Sequence, residues 1–272
     1  VLLFWISTAA LGQEKKAGAA VEDSSGLIPV PVVFYTPETG FAGGVAGLYY
    51  TKPNTGKAYS KPNEIYFKAI YTQKEQISLE LGTKRYFDNE KYKMLAEILY
   101  DKMPMYFWGV GPHTKNEAEE LYTPHIYTFL SYFLREALDK LYIGPTYEFI
   151  STDVIRVKKG GILDTAGLPG AGYYRNSGLG LAVHWDTRNH NFFPSTGFLL
   201  ESYFRLYRKE IGSTNNFFLA NIDFRSFYPV FQESIFAWQA LFMSRSGSVP
   251  FMELAKLGGE RMLRGYYEGR FT

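Results

Sequence analysis

The 272-residue chain has no cysteine, only four histidines and a formal net charge of just +2. Without cysteine there is no disulfide frame, no thiolate nucleophile and no thiolate-ligated metal. The histidines stand in no metal-ligand spacing, so neither a metal centre nor another cofactor is expected. A balanced charge argues against a nucleic-acid binder, which needs a concentrated basic face. Long apolar runs are missing as well. The nearest approach, residues 1–12, falls short of the roughly 20 residues that a membrane-spanning helix needs. It reads as the apolar part of a secretory signal, cleaved at Ala10-Leu11-Gly12, with a buried N-terminal strand or helix as the alternative. Export without a helical anchor leaves secretion, the periplasm or an outer-membrane barrel.

Aromatic residues, by contrast, are abundant at 18%, with 22 Tyr and 22 Phe. They sit in segments that alternate in polarity. Leu179, Leu181, Val183 and Trp185 oppose Gly178, Gly180, Ala182, His184 and Asp186. Phe218, Ala220, Ile222 and Phe224 oppose Asn221, Asp223 and Arg225, and Ile65, Phe67, Ala69 and Tyr71 oppose Glu64, Tyr66 and Lys68. Period-two patterning makes half-apolar strands. Many run to about ten residues, the length that spans a membrane, whereas globular strands average about 5–6. Aromatic pairs such as Tyr86-Phe87, Phe107-Trp108, Tyr173-Tyr174 and Phe227-Tyr228 fall near strand ends and suit a membrane interface. A soluble sandwich would show the same alternation. Strand length, the aromatic pairs and the motifs at Asp186–Gly197 and Gly258–Tyr266 favour an all-β fold class of transmembrane antiparallel up-and-down barrel.

About eleven strands are expected, from Ile28–Thr36 to Glu233–Ser244, after a flexible tail at 13–27. Long connections follow the fifth, seventh and eleventh strands, and tight ones the fourth, sixth and tenth. Outer-membrane barrels place long loops outside and short turns in the periplasm. An odd strand count leaves the chain end on the outer side and the barrel open, so residues 28–272 are expected to form an incomplete barrel.

Two motifs add identity to this pattern. Gly258-Gly259 precedes Leu263-Arg264-Gly265-Tyr266, and Asp186-Thr187-Arg188-Asn189 precedes Pro194 and Gly197. Together they resemble the BamA/TamA family of outer-membrane barrels, the bacterial surface antigen family, from about Leu27 onward. Leu-Arg-Gly-Tyr replaces the commoner Val-Arg-Gly-Phe, and Asn189 stands where Asp is usual. The resemblance implies a sixteen-strand barrel, of which five strands are not represented. It implies that Arg264 heads a loop folded into the lumen, and that the Asp186–Gly197 motif forms a periplasmic turn. An Arg at such a tip pairs with carboxylates through its planar fork, while Gly265 permits a tight backbone approach and Tyr266 packs the tip. Asp186 and Arg188 are expected to hold their turn by an ion pair.

The resemblance also implies a non-enzymatic role in membrane-protein insertion, secretion or lipid handling. The expected partners are outer-membrane lipids and client outer-membrane or secreted proteins. No periplasmic POTRA domain fits before the first strand, so the chain resembles the short branch of the family and no POTRA-mediated partner is expected. A channel or a barrel enzyme of the phospholipase type is the alternative. His184 and Asp186 share an inward face, but no serine sits in a nucleophile-elbow context. Gly178-x-Gly180 lacks the following helix of a dinucleotide loop. Lys68, Lys84, Glu97, Glu201, Arg205, Asp223 and Arg225 read as a hydrated interior.

Overall fold

A computed structural model describes residues 25–36, 39–51, 61–190, 193–231, 234–259, 262 and 265–272. Alternating polarity is satisfied by one up-and-down antiparallel sheet. Its strands are β1 (Ser25–Thr36), β2 (Gly40–Thr51), β3 (Asn63–Thr72), β4 (Ile77–Phe87), β5 (Tyr92–Lys102), β6 (Met105–Phe107), β7 (Glu120–Leu138), β8 (Leu141–Arg156), β9 (Tyr174–Asp186), β10 (Gly197–Tyr207), β11 (Phe217–Phe231) and β12 (Ser234–Gly247). Each long strand pairs with its sequence neighbours, and β6 adds to β7 alone.

The eleven expected strands are all present, and β6 makes a twelfth. Three residues are too few to leave a periodic trace. The first strand begins at Ser25, so Ser25–Leu27 belong to the wall and not to a tail. The expected signal and most of that tail, residues 1–24, lie outside the described residues.

Apart from β6 the strands run from 10 to 19 residues. β7 and β8 are the longest and rise past their neighbours at the end carrying the long loops. One sheet face exposes Leu79, Leu81, Ile98, Leu179, Leu181 and Phe242. The other carries cross-strand ion pairs, including Lys68–Glu80 at 2.7 Å and Glu64–Lys84 at 3.5 Å. Lipid-facing apolar and inward polar residues thus separate by strand parity. No helix among the described residues is long and apolar enough to cross a membrane.

The expected aromatic belt needs correction. Adjacent residues on a strand point to opposite faces, so only one ring of each pair faces outward. Tyr173 is exposed while Tyr174 is buried inside, and both Phe107 and Trp108 are buried beneath the loops.

β1 and β12 are the sheet's open edges. Pro29 and Pro31 lie mid-strand in β1, opposite Gly47 and Val45 of β2, in an unbroken register. Proline has no N–H to give a ladder, so both nitrogens must face the open side.

Candidate functional site

Small residues on β9 shape the middle of the inner wall. A Cβ on Gly178 would stand 2.4 Å from the Tyr207 ring, so the ring lies directly over the glycine. Tyr207 stacks on Phe217 at 4.1 Å and donates its hydroxyl hydrogen bond to Glu148. Arg205, only 2% exposed, pairs with Glu148 at 3.0 Å and donates to the Tyr132 hydroxyl at 2.7 Å and to Thr146 at 3.2 Å. Its guanidinium also lies 4.3 Å from the Tyr203 ring centroid. Here β7, β8 and β10 meet through a buried charge satisfied on every side, which is how such a charge persists.

The loop end of the lumen is apolar. Phe107, Tyr122, Ile150, Leu163, Tyr174, Phe251 and Met252 form one buried cluster. It joins three loops to the inner faces of β7, β8 and β9. Helix α1 (Ile162–Thr165) is seated there by Glu120, whose carboxylate accepts from the backbone N–H groups of Ile162 and Leu163. Phe251 N donates to Pro169 O at 2.8 Å, fixing the segment after β12 against the β8–β9 loop. Arg245 donates to Glu253 O at 3.1 Å and to Asn221 Oδ1 at 3.1 Å, binding that segment to the wall. The Glu253 carboxylate accepts from the Tyr174 hydroxyl at 3.2 Å. Burial raises the Glu253 carboxyl above its ordinary value, with the Glu148 charge adding to the effect, and burial lowers the Lys256 ammonium.

Beyond the cluster, Leu257 and Phe271 bridge, and Gly259 N donates to Tyr266 O at 2.9 Å, making a narrow hairpin. Gly258 has φ +106°, and a Cβ there would sit 2.1 Å from Tyr267 O, so only glycine fits. Gly259 also has positive φ, whereas Gly265 and Tyr266 lie at the exposed tip. Leu263 and Arg264 lie outside the described residues. Arg270 anchors this hairpin. It donates to Thr114 Oγ1 at 2.6 Å, Thr114 O at 2.9 Å and Asn116 Oδ1 at 2.7 Å. It also faces Trp108 at 5.3 Å and Phe271 at 4.6 Å. Sequence reading missed Arg270 because its partners lie over 150 residues away, and only its aromatic neighbours Tyr267 and Phe271 hinted at a packed segment.

At the opposite end, Asp186 and Arg188 form a bidentate pair, both contacts 2.8 Å, and Arg188 N donates to the same carboxylate. Thr187 and Phe198 exchange hydrogen bonds across the turn. Asn189 accepts from Ser195 N and Thr196 N while its amide donates to Ser195 Oγ at 2.7 Å. An Asp carboxylate has no hydrogen for that last bond. Gly197 closes the turn at φ +92°, and Pro194 is half-buried within it. His184 contacts Glu201 at 3.3 Å, and no serine hydroxyl bonds to it among the described residues.

The architecture is the wall of an outer-membrane β-barrel with its lumen occupied by its own loops. A family model for the Omp85 superfamily domain matches residues 61–272, and the chain belongs to that superfamily. Among solved structures it is similar to BamA from Haemophilus ducreyi lacking POTRA domains 1–3, with TM-score 0.59 and 14% identity. That match covers 91% of this chain and 46% of the other, so the chain spans about half the length of that relative. At such identity the likeness concerns the fold. No curated protein matches the chain.

Proposed function

We propose that the protein is a non-enzymatic outer-membrane barrel of the BamA/TamA type, with its tight turns in the periplasm. It acts through its wall in the insertion of membrane proteins, in secretion or in lipid handling. The observation that carries this reading is the apolar cluster around Phe251, Tyr174 and Leu163, built from three loops at one end of the lumen. A conducting pore keeps that space wet and polar, which disfavours the channel alternative. The Gly258–Tyr266 motif serves in this reading as the inward loop, with Arg264 as its tip, and the Asp186–Gly197 turn braces the periplasmic rim. The open edges of β1 and β12 leave backbone groups unpaired, which lipid does not tolerate, so each edge needs a pairing partner in the membrane.

Two measurements test the reading. The protein should fractionate with outer membranes and resist carbonate extraction; recovery as a soluble periplasmic species overturns the localisation. Reconstituted in vesicles, it should speed the folding of a small barrel protein over empty vesicles without giving ion conductance. Steady conductance with no effect on client folding would move the assignment to a channel.

A further inference from the structure

At the turn end of the lumen two lysines flank the Tyr86 ring, and a third is the cross-strand neighbour of that tyrosine. Lys61 Nζ stands 5.5 Å from the Tyr86 ring centroid and 5.3 Å from that of Tyr142, and Lys84 Nζ stands 5.7 Å from Tyr86. Lys93 is the cross-strand partner of Tyr86 on the same inward face. Direct cross-strand neighbours bring their Cβ atoms within about 5 Å. Two of the lysines have carboxylates at hand. Lys84 lies 3.5 Å from Glu64, and the Lys61 backbone N–H donates to Glu90 Oε1 at 2.8 Å.

Lys93 differs from both. It is only 8% exposed, yet it makes no hydrogen bond or ion pair among the described residues. The charges acting on it are, in falling order, the repelling Lys84, the attracting Glu201, the repelling Lys61 and the attracting Asp186. Asp186 is paired with Arg188, and Glu201 contacts the His184 ring at 3.3 Å. An ammonium on a buried side chain without a contact partner is costly, and the like charge of Lys84 beside it adds to the cost. An anion among the three removes both penalties.

We propose that the turn-side mouth of the lumen binds a phosphate group held by Lys93, Lys84 and Lys61 beside the Tyr86 ring. Three neighbouring ammoniums act as point charges suited to the several oxygens of a phosphate. Free phosphate and a phospholipid headgroup share this chemistry.

The test uses the full chain refolded in a non-ionic detergent at low salt, where such contacts are least screened. Inorganic phosphate and dihexanoyl-phosphatidylglycerol are titrated separately by calorimetry and by 31P NMR. Saturable binding is expected for at least one probe, weakened about tenfold by Lys93→Met and largely retained by Lys93→Arg. Phosphate binding alone assigns a soluble ligand, and phospholipid binding alone assigns the headgroup. Should Lys93→Met fail to fold, Lys84→Met is read with the same expectation. Absence of binding by both probes, or binding that neither lysine variant weakens, overturns the proposal.

Discussion

Replacing Arg270 with Ala isolates the docking of the terminal hairpin. The guanidinium makes three hydrogen bonds to Thr114 and Asn116 and lies over Trp108 and Phe271. Hydrogen bonds to a charged group contribute about 1.5–3 kcal/mol each, but this side chain is half-exposed, which reduces each to about 1 kcal/mol. The ring contacts add about 0.5–1 kcal/mol. Because the bonds share one group, their sum is about 3 kcal/mol, or on the order of 100-fold in the population of the undocked hairpin. Hydrogen exchange read by mass spectrometry on peptides from Gly258 to Thr272 is the direct assay, with exchange in β7 and β8 as the internal control. Arg270→Ala should speed exchange in the hairpin by about that factor and leave the strands unchanged. Arg270→Lys should recover less than half of the protection, since one ammonium cannot reach the Thr114 and Asn116 oxygens as a fork does. Parent-like exchange in Arg270→Ala would show that the Leu257–Phe271 bridge and the ring contacts of Tyr267 hold the hairpin by themselves.

Four further outcomes follow from the geometry. Arg205→Met strands Glu148 in a buried site and should cost about 3–5 kcal/mol, seen as a lower urea midpoint in detergent; an unchanged midpoint would mean that water replaces the guanidinium freely. Gly178→Ala puts a methyl 2.4 Å from the Tyr207 ring and should cost about 1–3 kcal/mol by pushing it off Phe217, whereas Gly172→Ala, with open space around it, should be nearly silent. Glu253 has a raised folded-state value, so ionising it opposes docking: protection of the Pro250–Leu254 turn should fall as pH rises from the ordinary carboxylate value through the raised one. Glu253→Gln should flatten that dependence, and an equal slope in parent and variant would assign it elsewhere. Pro29→Thr with Pro31→Thr restores two donors to the free side of β1 and should increase edge-to-edge dimers on cross-linking in detergent; no increase would mean that this edge is already covered.

Most of the wall was legible because strands impose a period of two and little else does. Leu179–Trp185 and Ile65–Tyr71 pair along the faces that their alternation indicates. The extensions of β7 and β8 were not legible. In Glu120-Leu121-Tyr122-Thr123-Pro124 the inward positions carry Glu120, Tyr122 and Pro124, which face loops and not a hydrated lumen, so the polarity pattern dissolves. The site fared less well for a related reason. Motifs are local, whereas the contacts that fasten the lumen are not: Arg205 meets Glu148 57 residues away, and Tyr174 meets Glu253 79 away. Asn189 could be identified from its place in the turn, but only the Ser195 contact explains why an amide serves there.

The two ends of the lumen are built on different physics, and the difference bears on how such a barrel works. At the loop end, Phe251 and Met252 bury apolar surface against Tyr122 and Ile150. That contact strengthens as water leaves and needs no partner charge. In the middle, Arg205 and Glu148 are satisfied by each other and by hydroxyls. At the turn end, Lys93 has no such partner among the described residues. The loop end is thus filled by apolar packing, while one edge of the wall has low bonding capacity where Pro29 and Pro31 present no donors. A strand lying against β1 loses two hydrogen bonds mid-strand, each worth about 1 kcal/mol net in water and more in lipid, where no solvent replaces it. Separating a strand from β1 therefore costs less than separating it from a strand that offers all its donors.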